Sequence, residues 1–178
     1  MYQVAKDNKI LLQKVKSYIN DNYVEEEYVE SEDSIAALFG VDKSLKEDFS
    51  VFKTPKSLKG LNDDLDKTWQ QTVFKIIDTK EYSDPEVYKR ASISKQTFSK
   101  IRSSENYQPN KDTAIQMCFG LKLNLDESID LMAKAGYILS ASIKRDLVVR
   151  YFIQERIYSI DDMNGVLEEM DMKLFPIN

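Results

Sequence analysis

The sequence predicts an all-α fold, and three observations lead there. Apolar residues recur at spacings of three and four along most of the chain. Ser, Asp or Asn stands directly before several of those runs, where a helix needs a side-chain acceptor for its first free N–H groups. Only five glycines and four prolines interrupt 178 residues, and no stretch reads as a sheet or an internal repeat. Hydrophobic content of 42% with 11% aromatics suits a chain that buries one good core and a small appendage.

Leu11, Val15, Tyr18 and Ile19 place one apolar stripe on an amphipathic helix within residues 9–19. An acidic stretch follows, with Glu25, Glu26, Glu27, Glu30, Glu32 and Asp33 alternating with Tyr23, Val24, Tyr28 and Val29. Ser34 to Phe39 can form a short helix closed by Gly40. From Val41 to Gly60 no period is sustained, and lysines with Pro55 and Gly60 read as a linker or irregular loop. Residues 1–60 are therefore expected as an N-terminal extension and residues 61–178 as the main domain.

From Leu61 a stripe of Leu65, Trp69, Val73, Ile76 and Ile77 marks a core-facing helix. Asp84-Pro85-Glu86 reads as a capping Asp, a proline at the first helical position and an acid in the first turn, starting a short helix to Ala91. Ser94 caps a helix from Lys95 to Ser103, and Asn110 one from Lys111 to Leu121. Asn124 and Glu127 have capping-box spacing for a helix that ends at Gly136. Leu147, Val148, Tyr151 and Phe152 mark a further helix. Ser159 caps the last, which carries Ile160, Met163, Leu167 and Met170 on one face. These two C-terminal faces either complete the core or form the seam of a homodimer. Trp69, Val73, Val87, Phe98, Ile101, Ile115, Cys118 and Leu131 are expected to share one core.

The chain has no histidine, which removes Ser-His-Asp and Cys-His catalysis and most zinc and iron sites. No glycine-rich phosphate loop, paired metal ligands or nucleophile motif is present, so neither an enzyme nor a cofactor or metal is expected. The single Cys118 falls in phase with Ala114, Ile115 and Leu121, as a core thiol does. One thiol cannot close an internal disulfide, which suits a reducing compartment. With no basic-then-apolar leader and no apolar run near the ~20 residues that span a bilayer, the expected location is cytoplasmic, away from membranes.

The net charge of −5 hides a pattern. Residues 1–85 carry 12 basic against 17 acidic side chains, residues 86–150 carry 11 against 7, and residues 151–178 carry 2 against 6. A basic centre thus lies between acidic flanks.

Two short helices joined by a tight turn, Val87–Ala91 and Ser94–Ser103, have helix-turn-helix spacing. The segment from Val87 to Ile101 resembles the lambda-repressor-like (xenobiotic-response-element) family. Ile93 and the capping Ser94 precede three exposed positions (Lys95, Gln96, Thr97), then buried Phe98, Ser99 and buried Ile101. The stretch from Pro109 to Leu131, joined through residues 121–127, is similar to that family's fourth and fifth helices. The resemblance covers residues 63–138 and implies a five-helix core. On Phe98-Ser99-Lys100-Ile101-Arg102-Ser103 and Ala135-Gly136-Tyr137, the chain is also similar to a helix-turn-helix module of low-GC Gram-positive bacteria with no established role. Three positions depart from the repressor pattern. Tyr88 stands where a small residue is usual, Ser92 replaces the turn glycine, and Asp84 with Glu86 occupies a phosphate-facing helix start, where carboxylates repel phosphate.

The resemblance implies double-stranded DNA as partner. Lys95, Gln96, Thr97 and Ser99 would face the major groove, where Gln pairs with adenine and Lys reaches guanine, while Lys100, Arg102 and Lys111 would hold phosphates. This is the pattern of a transcriptional regulator. Tyr107, beside Pro109, either stacks on sugar or base or pins the loop after the recognition helix. The alternative is a protein-interaction module or adaptor reusing the fold. One form of it is a phage or mobile-element anti-defence inhibitor whose acidic run Glu25–Asp33 mimics DNA toward a protein partner; the plainer reading of that run is a solvated loop.

Overall fold

Capping acts locally, and the helices expected after Ser94, Asn110, Asn124 and Ser159 start at those caps. The computed structural model describes residues 2–25, 67–104 and 107–177, with backbone only for residues 2–8. The described residues form eight helices and no strand: α1 (Tyr2–Asn22), α2 (Trp69–Thr79), α3 (Asp84–Arg90), α4 (Lys95–Ser103), α5 (Lys111–Gly120), α6 (Leu125–Lys134), α7 (Lys144–Gln154) and α8 (Ile160–Glu169). The expected short helix at Ser34–Phe39, the linker at Val41–Gly60, the acidic run beyond Glu25 and the helical start at Leu61–Leu65 lie outside the described residues.

Ser94 accepts the Thr97 N–H at 3.1 Å and Asn110 the Thr113 N–H at 2.8 Å. Asn124 and Glu127 exchange both bonds of a capping box, and Ser159 accepts the Asp162 N–H. One cap differs from expectation. Ser83, not Asp84, caps α3, because the Glu86 carboxylate reaches back three residues to the Ser83 N–H and hydroxyl. Asp84 and Pro85 become the first two helical residues. The helix expected to run from Leu61 instead begins at Trp69, because residues 67 and 68 are not helical and Thr68 with Gln71, unnoticed in sequence, forms a capping box there. Five helices end on a non-glycine residue with positive φ: Glu81, Ser92, Lys122, Arg156 and Asp171. Ser92 thus takes the left-handed conformation for which glycine is the usual residue.

The centre of the fold is α5, whose residues 113–120 are all buried; a helix enclosed on every side needs no amphipathic stripe. It packs on α3 and α6. Gly120 permits the α3 contact, since a Cβ there would stand 2.8 Å from both Ala91 Cβ and the Val87 carbonyl oxygen. The close approach is made there, and Tyr88 turns aside to lie half-buried with its ring 5.8 Å from Phe98. All eight residues expected in the core are buried.

Helix α1 packs on α7 and α8, and its Val15 and Ile19 complete the same core and belong with residues 67–177 in one compact unit. The faces of α7 and α8 turn inward, with Leu147, Val148, Phe152, Met163 and Leu167 fully buried within this chain. The tail after α8 is strapped down as well. Asn164 exchanges two hydrogen bonds with the Phe175 backbone (2.8 and 2.9 Å), Gln116 donates to the Pro176 carbonyl, and the Arg145 guanidinium lies 3.9 Å from the Phe175 ring centre.

Candidate nucleic-acid interface

Helices α3 and α4 are separated by residues 91–94, and α4 is the most cationic short helix: Lys95, Lys100 and Arg102 with no acid between Lys95 and Ser103. Phe98 and Ile101 anchor its inner face. Lys95, Gln96, Ser99 and Lys100, at i, i+1, i+4 and i+5, are exposed on its outer face. Lys95 occupies the first turn, where the positive end of the helix dipole disfavours a cation. The fold gains nothing from a lysine there.

The other expected contact residues are engaged within the chain. The Thr97 hydroxyl lies 2.9 Å from that of Ser94, half-buried beside the cap. Arg102 pairs with Asp84 at the start of α3 and lays its guanidinium 4.4 Å from the Phe74 ring centre. Lys111 stands on α5, with its ammonium 2.6 Å from the Asp146 carboxylate, which is 2% exposed and also accepts the Ser140 N–H. Lys95, Gln96, Ser99 and Lys100 thus form one face. Arg102 stands at the end of the same helix, tied to Asp84, and Lys111 serves the core.

Two α2 residues hold α4 in place, and the sequence reading passed over both in this role. The Gln70 amide, 8% exposed, donates to the Ile101 carbonyl at 2.7 Å and the Arg102 carbonyl at 3.1 Å, satisfying the end of α4 from outside the helix. Phe74 meets Phe98 edge to face at 6.0 Å. Gln70 lies just off the Trp69–Val73–Ile77 stripe, so periodicity carries no sign of it. Tyr107, which follows α4, stands with its ring 6.1 Å from that of Trp69 on α2.

Hydrogen bonds from the Ser83 hydroxyl and N–H hold the Glu86 carboxyl below its ordinary value, so it stays ionised at neutral pH. Burial pushes the Cys118 thiol up to about 12, far from a reactive thiolate. No group of three or more potential metal ligands occurs among the described residues. Nor does any helix there have the length and apolar character to cross a membrane. No protein-family model, curated protein or solved structure matches the chain.

Proposed function

We propose that the chain is a DNA-binding regulator with no catalytic activity, built on a lambda-repressor-like helix-turn-helix core, that presents α4 to the major groove. The observation that carries this reading is the outer face of α4. Lys95, Gln96, Ser99 and Lys100 are exposed together on a helix whose inner face and C-terminal carbonyls are held by Phe98, Ile101 and Gln70. Rigid positioning matters because bidentate readout of a base edge by Gln or Lys tolerates little rotation of the helix. Anisotropy titration of the full chain on duplex DNA at low and moderate salt tests it. Gln96→Ala relaxes base preference, whereas Lys100→Ala weakens binding to every sequence alike and lowers the salt slope by about one. Absence of duplex binding at low salt, where phosphate attraction is strongest, rejects the reading.

One observation favours a second reading, an interaction module that reuses this fold. Two of the three cations assigned to phosphates, Arg102 and Lys111, are paired with Asp84 and Asp146. On that reading α4 meets a protein, and a pull-down from the host that retains both bound DNA and bound protein separates the two.

A further inference from the structure

Helices α1 and α8 pack together and leave between them a groove of about 600 Å3. Leu12 and Val166 line it with apolar surface, and Gly165 opens its middle. Asp161 and Asp162 flank it at one end of α8 and Glu168 and Glu169 at the other, with Lys9 the one cation among the described lining residues.

Two features of this groove serve no contact among the described residues. The first is Gly165. Gly120 is required by the approach of α3 and Gly136 by its positive φ, but a Cβ on Gly165 would meet nothing within 4 Å. A glycine inside a helix is destabilising relative to alanine, and here no neighbour among the described residues requires it. The second is the pair Glu168 and Glu169 in the last turn of α8, which has no basic residue. The helix dipole disfavours carboxylates at that end. Asp161 and Asp162, in the first turn, are where the dipole favours them.

We propose that this groove docks a basic amphipathic helix of a partner protein. An apolar side chain of that helix sits over Gly165, against Leu12 and Val166. Its Lys or Arg side chains, about two turns apart, meet the two carboxylate pairs, since Asp161 and Glu168 are separated by about 10 Å along the helix axis. Charge decides between occupants. Among the described lining residues, four carboxylates against one ammonium repel nucleic acid and anionic lipid, and a second copy seated symmetrically would set the same carboxylates against each other.

A labelled helical peptide of leucines and lysines, with lysines seven residues apart, is titrated against the full chain at low salt, alongside a control with glutamates for the lysines. The basic peptide binds saturably, and the control does not. Gly165→Phe fills the groove, and the double variant Glu168→Lys/Glu169→Lys reverses one end; each lowers affinity at least tenfold. All three positions are exposed, and the double variant carries the test should Gly165→Phe alter the circular dichroism spectrum. Several results overturn the proposal: no binding of the basic peptide, equal binding of the acidic one, or unchanged affinity in folded variants. A wild-type dimer that Gly165→Phe converts to monomer also does so, by giving the groove to a second copy.

Discussion

Asp84, in the first turn of α3, holds the guanidinium of Arg102, in the last turn of α4, across eighteen residues of sequence. The pair links the two helices on either side of the turn and takes one cation away from the outward-facing set.

Removing that carboxylate is expected to release the cation. In Asp84→Asn, duplex affinity rises several-fold at low salt and the log–log salt slope steepens by about one, because one more phosphate is neutralised. Both partners are partly exposed, so stability changes by no more than about 1 kcal/mol. An unchanged salt slope in the anisotropy titrations would show that Arg102 plays no part in binding.

Lys111 is expected to act on stability rather than on DNA. Lys111→Ala strands the buried Asp146 carboxylate and costs about 3–5 kcal/mol in denaturant unfolding. Adding Asp146→Asn recovers much of the loss, since the amide oxygen can still accept from Ser140. A Lys111→Ala protein that keeps its midpoint but loses DNA affinity would reverse the assignment.

The fragment 61–178 is expected to melt below the full chain, because it lacks α1 and uncovers the part of the core that Val15 and Ile19 complete. Val15→Asp in the full chain has the same direction, by placing a charge where there is no partner for it. Equal melting midpoints for fragment and full chain would refute the packing of α1.

Asp112 gives the fold a defined acid sensitivity. Burial pulls its carboxyl upward, but hydrogen bonds and charge from Arg145 and Lys173 outweigh this and hold it below its ordinary value. A lowered folded value means stabilisation that is complete above the unfolded value of about 4 and lost as pH falls through the folded one. Asp112→Asn is therefore less stable than wild type at neutral pH, and the two converge on acidification below about pH 4. Urea unfolding from pH 7 to pH 2 checks it, and a gap that stays constant across that range would exclude Asp112 as the titrating group.

Local chemistry was legible in the sequence by itself. Ser94, Asn110, Asn124 and Ser159 begin their helices as read, since a cap needs only a partner three residues away and an apolar stripe needs only its own period. The all-helical class and the shared burial of Trp69, Phe98, Ile115 and Leu131 follow from the same short-range rules, as does the exposure of Lys95, Gln96 and Ser99, whereas Thr97, expected beside them, is half-buried against the Ser94 cap. Only the tertiary structure decided what lay across long sequence separations. Gln70 meets Ile101 across 31 residues, Lys111 meets Asp146 across 35, and α1 joins helices more than a hundred residues away. A charged side chain looks the same in sequence whether it faces water or a buried carboxylate. Its role is set by which distant atom the folded chain brings within about 3 Å, a choice made by the packing of whole helices and carried by no local pattern.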